Sequence, residues 1–263
     1  MDGRANNLTN GAEPQNGSAF AHPGERVDDL RRGGLKILQR PDRFRFGTDS
    51  VLLAHFAAPR KGDRVADLGT GSGVLCLLMS ARQPQAVFDG VEVQADMADM
   101  ARRSVAMNHL EARIRIHHMD MRRAAAELGY GGYTLVVCNP PYSQPGRAIA
   151  SAQAAVSLAR HQGELALEEI ALSGAQLLKN GGRMALVYPA AGLLDLMWAL
   201  REARLEPKRI QLVQDRPGAQ PKLALLDAVK GGGSQLHWLP PLVLREADGS
   251  WSGQWREIYG AEA

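Results

Sequence analysis

The chain has 263 residues, of which 45% are hydrophobic and 22% are charged, with a formal net charge of +3 and a pI of about 9.0. This length suits one large α/β domain with a small appendage, and no apolar run approaches the roughly 20 residues of a membrane span. We therefore expect a soluble protein without a membrane partner, whose modest basic charge allows a nucleic-acid partner but does not require one.

The N-terminal segment 1–28 predicts a flexible tail. It is rich in Asn, Gly, Ala and Pro, and it lacks the basic start and apolar core of a signal peptide. The two cysteines, Cys76 and Cys138, lie in apolar runs without the neighbours of a metal site. We therefore expect a cytoplasmic protein with no disulfide and no metal.

Predicted strands and helices alternate from residue 63 onward. The strands are expected at 63–69, 86–93, 113–120, 133–139, 183–189, 208–214 and 222–231, and the helices at 73–83, 94–110, 165–180 (closed by Gly181 and Gly182) and 192–204. Strand followed by helix, repeated, predicts crossover connections and a parallel sheet. The last two strands leave no room for a crossover helix, so they should pair antiparallel.

The chain therefore predicts an α/β fold with a mostly parallel, seven-stranded sheet, one antiparallel strand and helices on both faces. We expect a single domain over 29–263. Within it, 29–62 forms an N-terminal cap segment, 63–231 the core and 232–263 a C-terminal extension.

A glycine loop, "ADLGTGSGVL", joins the first predicted strand of the core to its helix. Gly69, Gly71 and Gly73 let the backbone approach a ligand at the positive end of the helix. Val74 stands where the dinucleotide fingerprint GxGxxG has its third glycine. Asp67, just before the loop, suits a cationic ligand better than a pyrophosphate. S-adenosylmethionine, with its ammonium and sulfonium groups, meets this requirement.

A second acid, Glu92, lies near the end of the next strand. A carboxylate roughly twenty residues beyond a glycine loop can accept hydrogen bonds from both hydroxyls of a ribose. This role serves NAD as well as S-adenosylmethionine, so Glu92 does not discriminate between the two cofactors. His117 and His118, in the third strand, are interpreted as strand residues because no second cluster of metal ligands accompanies them.

The stretch "LVVCNPPYSQP" ends a buried strand with residues that cannot continue it. The exocyclic nitrogen of a base or an amide is nearly planar and a poor nucleophile, so acceptors must hold its hydrogens. Asn139 offers a side-chain oxygen, and the carbonyl of Pro140 is held by the rigid Pro140-Pro141 pair. Tyr142 supplies a flat face on which a planar substrate can stack. These residues predict transfer of a methyl group to a planar amine.

The motifs "DLGTGSG" and "NPPY" at this separation resemble the class I amino-methyltransferases, whose Rossmann-like sheet matches the predicted strand pattern. That resemblance leaves adenine in DNA, adenine or guanine in RNA, and a protein glutamine open. The stretches "FRFGTDSVLLAHFA" (44–57), "ARHQGELALEEI" (159–170) and "PPLVLREADGSWSGQWREIYG" (240–260) are similar to the tRNA adenine-N6 methyltransferase family, whose substrate is the adenine beside the anticodon of a valine tRNA.

The resemblance implies roles for further residues. Thr48 and Asp49 would lie against the methionine end of the cofactor, and Asp120 would accept from its adenine amine. Arg160 and His161 would stand near the mouth of the site, on RNA phosphate.

The function expected from these features is methyl transfer from S-adenosylmethionine, with S-adenosylhomocysteine as product, to the N6 amine of an adenine in tRNA. The cations of 30–46, among them Arg43 and Arg45, and those of the last third of the chain are candidates for the RNA backbone. The alternatives are methyl transfer to another amine (a protein glutamine amide, another RNA base or a small molecule) and a non-enzymatic binding module. The oligomeric state is not predicted.

Overall fold

The computed structural model describes residues 17–40, 47–140 and 166–260. Its strands are β1 (Arg26–Asp29), β2 (Lys36–Gln39), β3 (Arg64–Leu68), β4 (Val87–Glu92), β5 (Ile114–His118), β6 (Tyr133–Cys138), β7 (Leu178–Pro189), β8 (Leu205–Gln214), β9 (Leu223–Lys230), β10 (His237–Trp238) and β11 (Leu242–Val243). Its helices are α1 (Thr48–Ala57), α2 (Val74–Arg82), α3 (Ala95–Met107), α4 (Ala124–Leu128), α5 (Leu167–Leu177), α6 (Leu193–Glu202) and α7 (Gly253–Tyr259).

The central sheet has the strand order β10-β8-β9-β7-β6-β3-β4-β5, with β11 also paired to β8. Strands β3 to β7 are joined by parallel pairings, and β9 runs antiparallel to both β7 and β8. Six long strands therefore share one direction and β9 opposes them, which confirms the predicted sheet. The short strands β10 and β11 extend it by parallel pairing with β8.

Apolar side chains cover both faces of this sheet. Successive residues of a strand point to opposite faces, so Val65 belongs to one buried cluster and Ala66 to the other. Helices α1, α2, α3 and α7 contribute to the first cluster, and α4, α5 and α6 to the second. The predicted helices on both faces are confirmed.

The boundary between α5 and β7 differs from the prediction. The helix ends at Leu177, and β7 begins at once at Leu178. Its register against β6 shifts between the pairs Tyr133–Leu178 and Leu135–Arg183, so the residues between them form an irregularity in the strand. Gly181 takes a left-handed φ of 74° there. The glycine pair therefore serves this irregularity and does not close the helix.

Part of the expected N-terminal tail packs against α3. Residues Gly17–Phe20 form a 3-10 helix, and β1 begins at Arg26 and pairs with β2. The Arg103 guanidinium donates to the Glu25 carboxylate at 2.6 Å and to the Phe20 carbonyl oxygen at 2.6 Å. The hydrogen bond from Arg103 also lowers the pKa of Glu25.

The topology brings several loops to one edge of the sheet. Strand β3 lies between β4 and β6, and the carboxyl ends of these parallel strands meet at the same edge. At this edge, the glycine loop directly follows β3, Glu92 is the last residue of β4, and Asn139 directly follows β6. None of the helices among the described residues has the length and apolar character needed to cross a lipid bilayer.

Candidate methyltransferase site

The glycine loop between β3 and α2 has a backbone that only glycine adopts easily. Gly69, Gly71 and Gly73 have φ values of 74°, 57° and 86°, in the left-handed region. The loop is tied to β4, since the backbone N–H groups of Gly69 and Thr70 donate to the Val91 carbonyl oxygen at 2.9 and 3.0 Å. The result is a fixed backbone surface at the start of α2.

Asp67 is fully buried beneath this loop. The Thr70 hydroxyl donates to its Oδ2 atom at 2.6 Å, and Cys76 Sγ lies 3.7 Å from the same atom. Within the described residues, no donor reaches Oδ1. Burial raises the pKa of Asp67 to about 7, helped by the negative charge of Glu92 and opposed by Thr70 and Cys76. A nearby cation would satisfy this carboxylate in its ionised form.

Glu92 connects the end of β4 to the glycine loop. Its Oε2 atom accepts from the Gly71 backbone N–H at 2.9 Å, and its Oε1 atom accepts from the Gln94 N–H at 2.9 Å. Each carboxylate oxygen has a second lone pair for a ligand hydroxyl. The carboxylate is thus oriented before any ligand arrives.

Asp120 follows β5 and caps the 3-10 helix Met121–Arg123. Its side chain accepts from the Arg122 backbone N–H at 2.9 Å, and it is paired with the Arg122 guanidinium. The hydrogen bond from that guanidinium lowers the pKa of Asp120. Arg122 also reaches Glu169 at 3.4 Å. An adenine amine at Asp120 would therefore share the carboxylate with Arg122 or displace it.

Asn139 stands directly after β6, at the same edge. Its predecessor Cys138 pairs with Leu68, which precedes the glycine loop. The Asn139 Nδ2 group donates to Ser50 Oγ at 3.3 Å. Ser50 is buried in the first turn of α1, and its hydroxyl accepts from one N–H of the Asn139 amide. The Asn139 Oδ1 atom takes no part in this contact and remains an acceptor. Pro140 is buried beside it.

The same turn of α1 carries Thr48 and Asp49, both half-buried. The Asn139–Ser50 contact brings that turn to the end of β6. Six predicted site residues, Pro141, Tyr142, Arg43, Arg45, Arg160 and His161, lie outside the described residues.

The structure also shows the surroundings of the histidines and cysteines discussed above and of two basic residues in the last third of the chain. The ring of His117 contacts the Asp89 carboxylate at 2.8 Å, and His118 contacts the Val93 carbonyl oxygen at 3.1 Å. Both cysteines are buried and free. Of the basic residues in the last third, Arg209 pairs with Asp227, and Lys230 donates to the carbonyl oxygens of Ala175 and Leu178 at 2.6 and 2.7 Å.

The family model described as "Methyltransferase small domain" matches residues 42–193. The tRNA1(Val) (adenine(37)-N6)-methyltransferase of Tolumonas auensis is 35% identical over 189 residues, covering 68% of this chain and 74% of the relative. The protein of the same name from Yersinia pestis (strain Pestoides F) is 31% identical over 236 residues, covering 87% and 93%.

A crystal structure described as a predicted O-methyltransferase from Agrobacterium tumefaciens superposes with a TM-score of 0.67 at 24% identity, over 81% of this chain and 95% of that one. At this identity the likeness concerns the fold. The fold, the family model and the relatives agree with the motifs and with the geometry at the edge of the sheet. The chain therefore belongs to the class I S-adenosylmethionine-dependent methyltransferases, in the tRNA1(Val) (adenine(37)-N6)-methyltransferase family.

Proposed function

We propose that the protein transfers a methyl group from S-adenosylmethionine to the exocyclic N6 amine of an adenine in tRNA, near the anticodon. The observation that carries this proposal is the position of Asn139. It follows β6 beside the glycine loop, and its amide is oriented by Ser50 at 3.3 Å. The names of the relatives from Tolumonas auensis and Yersinia pestis support tRNA adenine as the substrate.

The residues at the edge of the sheet fit S-adenosylmethionine. Asp67 has a buried oxygen without a described donor, which suits a cationic ligand. The left-handed glycines provide a backbone without side chains, and Glu92 offers an oriented carboxylate to a ribose. Thr48 and Asp49 would hold the methionine end and Asp120 the adenine. When bound, this cofactor supplies an electrophilic methyl group on a positively charged sulfur.

Asn139 and Pro140 make the target nitrogen reactive. The lone pair of an adenine amine is delocalised into the ring, so acceptors on both hydrogens are needed to localise it. Asn139 Oδ1 serves as one acceptor, while an N–H of Nδ2 donates to Ser50 and orients the amide. The Pro140 carbonyl serves as the other. Tyr142 would hold the base by stacking. The amine loses its proton after transfer, so positioning and electrostatics supply the catalysis.

Transfer of labelled methyl groups to unmodified tRNA transcripts tests this function. We expect transfer to a transcript that has adenine beside the anticodon, and none when that adenine is replaced by guanine. Labelling of a protein fraction in place of tRNA would favour the alternative in which a glutamine amide is the acceptor.

The affinity for S-adenosylmethionine should rise as the pH increases from 6 to 8. Burial raises the pKa of Asp67 from its ordinary 3.8 to about 7, so the free protein keeps the neutral acid below pH 7 and its stability falls as the pH rises from about 4 to 7. A cationic ligand favours the ionised acid. Because the ionised fraction grows about tenfold over this range, the affinity should grow by roughly the same factor, measured by titration calorimetry.

Asp67→Asn is the matched control for this titration. It keeps the size of the side chain and removes its ionisation, so the remaining pH dependence belongs to the ligand's own ammonium group. Equal pH dependence in the two proteins would contradict the role of Asp67.

The affinity for tRNA should fall steeply with salt, while the affinity for the cofactor changes little. Each phosphate contact contributes about 0.7–0.9 to the slope of log K against log salt. Fluorescence anisotropy with labelled tRNA at several salt concentrations measures this slope, and charge reversal at Arg43 and Arg45 should reduce it. A flat response would favour a protein or small-molecule substrate.

A further inference from the structure

A cavity of about 420 Å³ lies away from the sheet edge that carries the glycine loop. It is bounded by α1, α2, α7 and the turn between β1 and β2. Its charged and titratable lining residues are Arg32, His55, Arg82 and Glu257. Two guanidinium groups, an imidazole and one carboxylate thus line one partly open pocket.

The contact between Arg82 and His55 determines which ring nitrogen of His55 carries the proton. Arg82 Nη1 lies 2.9 Å from His55 Nδ1. A guanidinium can only donate, so Nδ1 accepts and the neutral ring carries its proton on Nε2. Burial lowers the pKa of His55, and the charges of Arg82 and Arg32 lower it further, against the raising effect of Glu257. At neutral pH the ring is therefore an uncharged donor.

The two arginines of this cavity have one described carboxylate nearby, that of Glu257. Arg32 Nη2 donates to the backbone oxygen of Glu257 at 3.2 Å. In the described part of the chain, neither Arg32 nor Arg82 forms an ion pair, although the Glu257 carboxylate lies within electrostatic range. Burial and the like charge of Arg32 both lower the pKa of Arg82. The Glu257 carboxylate raises the pKa of Arg82 but does not fully offset these two effects, so a further anion at the cavity would be favourable.

We infer that the cavity formed by Arg32, His55 and Arg82 binds a phosphate group of the RNA backbone. Guanidinium groups recognise phosphate oxygens by paired N–H donors, and His55 Nε2–H is a third donor of the same kind. This inference rests on the proposed function, because it takes the RNA substrate as given and assigns one of its contacts.

The location of the cavity favours binding of an RNA strand over binding of the cofactor. His55 is seven residues beyond Thr48 on α1, a distance of roughly 10 Å along the helix. A second cavity of about 340 Å³ adjoins the first through Val51 and reaches Thr48. Arg31 and the aromatic residues Trp251, Trp255 and Tyr259 line it. A strand bound at the cations can therefore continue along α1 toward the catalytic edge.

The double variant Arg32→Gln/Arg82→Gln tests this inference. The control is Arg123→Gln/Arg201→Gln, which removes the same charge from exposed arginines on the opposite face of the sheet. We expect the first variant to bind tRNA at least tenfold more weakly than the control, with a salt slope reduced by about 0.7–0.9. Cofactor affinity and the kcat at saturating tRNA should not change. Thermal unfolding shows whether each variant is folded. If the double variant is unstable, the single variant Arg82→Lys is measured in its place.

A second experiment distinguishes binding of the RNA backbone from binding of free phosphate. Inorganic phosphate is titrated into the wild-type protein while the NMR signal of the His55 ring, assigned with His55→Gln, is followed. A shifted His55 signal together with normal tRNA binding by the double variant would show a site for free phosphate and overturn the inference. Normal tRNA binding without any shift would overturn it as well. A wild-type protein that does not bind tRNA would instead remove the proposed function and this inference with it.

Discussion

Replacing Asn139 with alanine is expected to lower kcat by about 10²–10³-fold and to leave the affinity for S-adenosylmethionine nearly unchanged. The variant loses the side-chain acceptor that the amine needs in the transition state, and removal of one such preorganised polar group has a cost of this order. The cofactor contacts that we propose come from other loops, so binding should survive. Single-turnover methyl transfer on tRNA and calorimetry with the cofactor measure the two effects separately.

Two further variants define the role of Asn139. Ser50→Ala should lower kcat less, because Asn139 keeps its oxygen and loses only the contact at 3.3 Å that orients it. Asn180→Ala, at an exposed asparagine near the start of β7, should have normal activity. If Asn139→Ala were less stable but its folded fraction turned over normally, Asn139 would be a turn residue and the mechanism would be wrong.

Replacing Gly71 with valine should abolish binding of S-adenosylmethionine. Gly71 has a φ of 57° and donates its N–H to Glu92 at 2.9 Å. A branched residue is strained in this conformation and adds atoms where the ligand must approach the backbone. Relaxing the strain would move the loop away from Glu92, so both the glycine surface and the ribose contact are lost. Calorimetry with the cofactor measures the result.

Gly62→Val is the matched control for backbone strain. Gly62 has a φ of 79°, is exposed in the turn before β3 and has open space around a Cβ atom. It should lose stability of about 1–2 kcal/mol and still bind the cofactor. Equal loss of binding in the two variants would mean that strain alone explains the effect at Gly71.

The core of the fold follows from local sequence patterns. Strands β3 to β6 are short apolar runs, each followed by a polar or glycine-rich loop, and they lie within a residue or two of the prediction. The predicted end of α5 was wrong because the glycine pair, which commonly follows the end of a helix, here lies in an irregular part of β7. The β1–β2 hairpin and α7 escaped prediction because their packing against α3 and α1 depends on contacts distant in sequence.

The residues of the candidate site also differ in whether a local sequence pattern predicts them. Asp67, Glu92 and Asn139 can be predicted as candidate site residues because a glycine loop or a strand end marks their positions. Ser50 was missed, since its contact with Asn139 joins residues 89 positions apart and no local pattern indicates it. The pairing of Arg122 with Asp120 joins residues only two positions apart, so a local sequence pattern does indicate it.

Mass spectrometry of tRNA nucleosides tests directly whether the protein methylates an adenine of tRNA in cells. Total tRNA from cells lacking the protein is digested and compared with tRNA from cells that carry the wild-type chain or Asn139→Ala. We expect N6-methyladenosine in a valine tRNA to disappear without the protein, to return with the wild-type chain and not to return with the variant. An unchanged level of N6-methyladenosine in cells lacking the protein would contradict the proposed function.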